Sequence, residues 1–208
     1  MPNPTIGSRE SRGSGARRPE ASRGSTVDPL ELARWLEDRS DEIGERWLSE
    51  LHSRGGGAGA EELEDVVAAF VGLFTRLLPG LMGPLKEQVE PLWTQTAELY
   101  GNTGALRGLA SGEAIEEFQV FREVLIRQIY HDPPGGPGRS LDLRELLALN
   151  RVVDQGVTHA SVGHTDSLFF ALFQGGGVSE RPTPEVVEGV RDQVEMIHNE
   201  LEKLGPLI

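Results

Sequence analysis

The sequence predicts an all-α fold, a helical bundle, and three observations predict it. Apolar residues recur at three- and four-residue steps through most of the chain, and no useful stretch alternates apolar with polar residues as a half-buried strand does. Capping and stop signals bound each periodic segment. The 208 residues suffice for one sizeable core with appendages.

Residues 1–27 are rich in Ser, Gly, Arg and Pro with almost no large apolar side chain, so they are expected to form a disordered tail. At Asp28 the character changes. Asp28 is placed as an N-cap, Pro29 at the first helical position and Glu31 three residues after the cap. Leu32, Trp35, Leu36, Ile43, Trp47, Leu48 and Leu51 then give one apolar face until "RGGGAG" (54–59) ends the segment. A second helix, about 60–79, carries a wide apolar band from Leu63 to Leu78 and is expected to break at "LPGLMGP". The third, about 85–100, contains Pro91, which removes a backbone donor and predicts a kink or a new first turn.

The fourth helix starts near Ser111, stacks Ile115, Phe118, Val120, Phe121, Leu125 and Ile129, and stops at "HDPPGGPG". The fifth starts near Ser140 or Asp142, where Asp142 and Glu145 have capping-box spacing, and continues to about Phe173 as the longest. It contains Gly156 and Gly163, each costing about 1 kcal/mol relative to alanine in a helix interior, so a break or a close helix contact is expected there. A hinge, 175–183, precedes a last helix opened by Thr183, Pro184 and Glu185. In that C-terminal segment, 184–208, Val187, Val190, Val194, Ile197, Leu201 and Leu204 follow 3-4-3-4-3 steps, a heptad seam. The seam is read as an interface for a coiled-coil homodimer, against the alternative that it packs back on the 28–174 bundle.

Charge and composition narrow the function. Five arginines against Glu10 and Glu20 give the first 27 residues +3, leaving −16 on the remainder, a body that repels nucleic acid and anionic membrane. The absence of cysteine excludes a disulfide framework, thiolate metal ligands and a thiol nucleophile, and fits a cytoplasmic protein. The N-terminus has no apolar signal-peptide core, and no apolar run is expected to reach the roughly 20 residues of a membrane span.

Chemistry-bearing motifs are few. His164 lies on the line Val153, Val157, Ala160, His164, Leu168, Leu172, so its imidazole is expected to enter the apolar face. His159 is five residues away, about 140° round the helix, so the two cannot chelate one metal. His164 is read first as a core or pocket-lining residue, with a pH-titrating switch and haem or metal ligation as the alternatives, and no cofactor is otherwise expected. The glycine clusters lack the Gly-Lys-Ser/Thr of a phosphate loop, and neither a nucleophile elbow nor an HExxH helix is present, so a non-enzymatic role is expected.

Two stretches, "ELYGNTGALRGLASGEAIEEFQVFREVLIRQI" and "LLALNRVVDQGVTHASVGHTDSL", carry a family likeness. Their features are a Gly-containing turn with a short apolar helix end (Gly101, Gly104, Ala105 and Gly108), then a helix with Phe118, Phe121, Arg122 and Leu125, then Leu149, Asn150, Val153 and Asp154. Over roughly residues 28–174 the chain resembles the N-terminal sensory domain of RsbR-type stress regulators, the RsbT co-antagonist family, also found ahead of histidine-kinase cores. The resemblance implies a globin-like or bundle sensor, dimeric, generally without haem, that signals through a C-terminal helix. The chain departs from that pattern after the heptad helix, where no STAS output domain or kinase core follows before Ile208. The expected function is a dimeric sensory or regulatory adaptor of bacterial signalling that acts on a protein partner; the alternative is a globin-type haem or small-molecule binder. On this reading, Ile197→Asp is expected to separate the subunits, measured by native mass spectrometry, while leaving the bundle folded.

Overall fold

Asp28 starts the first helix as its chemistry predicts. Its carboxylate accepts from the Leu30 N–H at 3.3 Å, and the Glu31 carboxylate reaches back to the Asp28 N–H at 3.5 Å. The computed structural model describes residues 27–54, 63–139, 141–173 and 182–208. Among them are seven helices and no strand, so the fold is all-α. The helices are α1 (Pro29–Asp38), α2 (Ser40–Ser53), α3 (Glu64–Met82), α4 (Lys86–Leu106), α5 (Ser111–His131), α6 (Leu143–Phe173) and α7 (Pro184–Lys203). Most of the expected tail, the 54–59 glycine run after Arg54, the possible start at Ser140 and most of the hinge lie outside the described residues. Val27, assigned to the tail by composition, is buried in the core, so the boundary falls one residue earlier.

Several elements differ from expectation for physical reasons. The first segment is divided at Arg39, whose guanidinium donates to Asp132 (Nε to Oδ2, 2.8 Å) at the end of α5 and lies 4.9 Å over the Trp35 ring. This lets α1 pack on α3 while α2 packs on both α3 and α5. α3 runs on through Pro79 to Met82, because Leu77, Leu78 and Leu81 are all buried and Val89 and Leu207 close on Gly80. At 19 residues it is also long and apolar enough to cross a membrane, contrary to the expectation, yet 67% of its most apolar window is buried against the other helices. α4 is continuous through Pro91 and extends past Gly101 and Gly104 to Leu106.

Those glycines do not make a turn; they let α4 and α6 touch. A Cβ on Gly101 would lie 1.9 Å from the Ala160 carbonyl oxygen, and one on Gly163 would lie 1.9 Å from the Glu98 carbonyl oxygen. Each backbone thus rests on the other through a glycine, at positions three apart on both helices. The contacts Gln155–Glu90, His159–Glu98 and Ser167–Asn102 show that α4 and α6 run parallel, while Arg122–Asp154 and Leu109–His164 show that α5 runs antiparallel to α6. Gly156 admits the Phe118 ring to the same seam, since a Cβ there would meet it at 2.7 Å. Around this crossing Trp47, Phe70, Phe74, Trp93, Tyr100, Phe118 and Phe121 form a continuous aromatic core, with Trp47 stacked on Phe121 at 4.2 Å between centroids.

α7 belongs to the same core. Val187, Val190, Val194, Ile197 and Leu201 are buried, Leu204 is half-buried, and the helix lies on α3 and α4 of its own chain. The residues read as an interface between chains therefore form an intrachain contact, and a charge at Ile197 would strike the core itself. Asp65 beside Arg191 and Gly80 beside Leu207 show that α7 runs parallel to α3.

The glycine crossing gives a paired test. Gly101→Ala is expected to destabilise the fold by at least about 3 kcal/mol, because backbone cannot yield as a flexible side chain can. Gly189→Ala on α7, where a Cβ meets nothing within 4 Å, is expected to stabilise it by about 0.5–1 kcal/mol. Urea unfolding of the two variants checks both signs.

Candidate functional site

The Gly101–Ile129 and Leu146–Leu168 stretches meet at one corner, where α4 turns into α5 beside α6. Gly108, with φ of +77°, turns the chain after α4. The Glu113 carboxylate accepts from the Ala110 N–H at 2.7 Å and starts α5. Across the turn, Arg107 and Glu117 form a two-point ion pair, Nη2 to Oε1 at 2.6 Å and Nη1 to Oε2 at 2.9 Å, with side chains only 1% and 4% exposed. The Tyr100 hydroxyl donates to Glu117 Oε2 at 2.5 Å, and the Trp47 indole N–H donates to the Glu117 carbonyl at 3.0 Å.

Burial first, and then the Glu117 charge, push the Tyr100 hydroxyl well above the usual phenol range, so it stays protonated. Burial alone would weaken the Arg107 charge, but its hydrogen bonds and attraction to Glu117 more than reverse that. Both ends of the pair thus remain matched inside the aromatic core. A second tie joins the motifs, since Arg122 on α5 donates to Asp154 on α6.

His164 enters the apolar face as expected and is 2% exposed. Its Nε2 lies 2.8 Å from the Leu109 carbonyl oxygen, which can only accept, so Nε2 carries a proton and ties α6 to the α4–α5 turn. Nδ1 is buried with no hydrogen-bond partner among the described residues, and the ring rests beside Gly104. A haem iron needs an imidazole nitrogen facing open space. With Nε2 engaged and α4 packed on the ring, these residues do not fit a haem. His159 lies apart, its Nδ1 2.9 Å from Glu98, and no group of three metal-ligating side chains occurs among the described residues.

The feature that spacing alone passes over is the end of α6. α4 stops at Leu106, shortly after Asn102 meets Ser167, and α6 continues to Phe173. The six residues from Leu168 add about 9 Å of helix beyond that level. Leu172, Phe170 and Phe173 are 74%, 69% and 86% exposed, and Leu168 and Phe169 are exposed beside them. The run "LFFALF" places five large apolar side chains within six residues at the end of this helix.

No family model, curated protein or solved structure matches this chain.

Arg107→Met is expected to cost about 3–5 kcal/mol, because it leaves the buried Glu117 carboxyl without its partner, whereas Arg107→Met with Glu117→Leu recovers most of that loss. Chemical denaturation of the two single variants and the double closes this cycle. Tyr100 adds a pH dependence. Its raised folded-state value means that its stabilisation is present below the unfolded phenol value of about 10 and is lost as the pH rises above it. Wild-type stability is expected to fall more steeply above pH 10 than that of Tyr100→Phe.

Proposed function

We propose that this chain is a non-catalytic, cytoplasmic regulatory module of bacterial signal transduction, of the RsbR-type sensory kind. It works as a homodimer that engages a protein partner. The observation that carries this reading is the bare apolar end of α6. At the roughly 150–250 Å² that a large aromatic side chain can bury, its five large side chains, exposed to between 38% and 86%, leave about 600 Å² of apolar surface uncovered. That is at the top of the range for the largest patch on a monomer, about 300–600 Å². Doubled across a twofold axis it exceeds the roughly 1,000 Å² that a specific interface needs.

A second copy suits this surface better than a lipid bilayer does. α6 has no Lys or Arg after Arg151, whereas helices that lie in membrane surfaces are rich in both, and the chain carries a net charge of −13. An isologous contact between two α6 ends sets apolar side chains against their own copies. The tightly tied α4–α5 corner supplies the rigid body, and α6 connects that body to the contact surface. A partner or ligand acts in this scheme by favouring one arrangement of helices over another.

The double variant Phe170→Asp, Phe173→Asp tests the reading by sedimentation equilibrium. A wild-type dimer that becomes monomeric with an unchanged melting midpoint supports it. A wild-type monomer, or a dimer indifferent to both charges, removes the α6 contact from consideration.

A further inference from the structure

α3 and α7 do not close fully on each other. A groove of about 460 Å³ runs between them, within the range of small-molecule sites. Its floor is apolar, formed by Val66, Ala69, Gly72 and Leu73 from α3 and Val194 from α7. Gly72 is the informative residue. It lies inside α3, where glycine costs about 1 kcal/mol relative to alanine, and its φ lies outside the left-handed range that would call for glycine. A Cβ there would meet nothing within 4 Å, so no neighbour requires its absence either. What the glycine provides is depth in the groove.

The rim supplies the charge. Arg191 is offset by Glu188 at 3.6 Å and Asp65 at 3.9 Å, and His198 lies 3.2 Å from Glu202. Glu195 also lines the groove and is exposed. Arg76, one helical turn beyond Gly72 on the same face, is exposed and has no carboxylate within 4 Å among the described residues. An apolar slot with one uncompensated guanidinium at its edge matches an amphipathic monoanion; the neighbouring carboxylates oppose a polyphosphate.

We propose that this groove binds a small amphipathic carboxylate, with its apolar body over Gly72 and its carboxylate on Arg76. Seated between α3 and α7, the ligand contacts both helices and so favours the docked position of α7. The inference rests on the regulatory reading above only for its biological consequence; the site itself stands on the groove.

The test is isothermal titration of the full-length protein with octanoate, decanoate, 4-phenylbutyrate and 1-naphthylacetate. At least one is expected to bind with one site per chain and to slow amide exchange in α7. Arg76→Gln is expected to weaken that ligand about tenfold, as the loss of a charged hydrogen bond does. Gly72→Phe is expected to abolish binding by filling the slot while leaving the melting midpoint at or above that of wild type. If Gly72→Phe fails to fold, Gly72→Leu takes its place, and Arg76→Gln still decides the anion contact. No binding by any of the four at 5 mM overturns the proposal, as does binding that neither substitution alters. Binding that is lost instead in Phe170→Asp, Phe173→Asp would place the ligand on the α6 end and equally overturn it. Subunit number is measured on the same samples, so a monomer that binds at the groove refutes the dimer alone.

Discussion

The constraint on which the rest of the structure depends is the mutual contact of two backbones, Gly101 under the Ala160 carbonyl and Gly163 under the Glu98 carbonyl. Each glycine forgoes a side chain and carries the helix-propensity cost of doing so, offset by close packing along the longest helix. The two contacts fix the register of α4 against α6 as well as their separation. With that register set, the Phe118 ring fits over Gly156, the His164 ring reaches the α4–α5 turn, and the aromatic core closes around Tyr100. A shift of one residue along either helix would put a side chain where a carbonyl now sits.

The polar part of the core answers to the same geometry. Arg107 and Glu117 are ten residues apart and meet only because Gly108 turns the chain sharply between α4 and α5. A buried ion pair is weak evidence for net stability, since desolvation offsets much of the attraction. Its value here is orientation. Glu117 receives two arginine N–H groups and one tyrosine hydroxyl, so α4 and α5 have one well-satisfied alignment in which no buried charge is left alone. Val27, Arg39 and Leu207 close the remaining edges of the bundle.

Local signals in the sequence were legible wherever the interaction itself is local. The Asp28 cap, the start of α5 at Ser111, the Asp142 region before α6 and the 184–203 helix all rest on residues within one turn of one another, and the structure has them. The burial of His164 was legible too, because a helical line of apolar residues points to one face. Gly101 and Gly104 resembled a turn, since a glycine that serves a close approach is indistinguishable in one dimension from one that serves a bend. The break at Arg39 depends on Asp132, 93 residues away. The seam of α7 was correctly read as apolar, but spacing carries no information on whether its partner surface is in the same chain. Arg107 with Glu117 has no helical periodicity to betray it, and the exposed end of α6 follows from where α4 stops.

The parallel course of α7 along α3 determines how the molecule bears load. A pull on the C-terminus reaches Leu207 over Gly80 first and then Leu201, Ile197 and the three buried valines in turn. A pull applied at Phe173 acts along the axis of α6 and meets the two glycine contacts together, in shear. Tension entering by these two routes would therefore load different contacts first, the Leu207–Gly80 end of α7 in one case and the glycine contacts of α4 with α6 in the other.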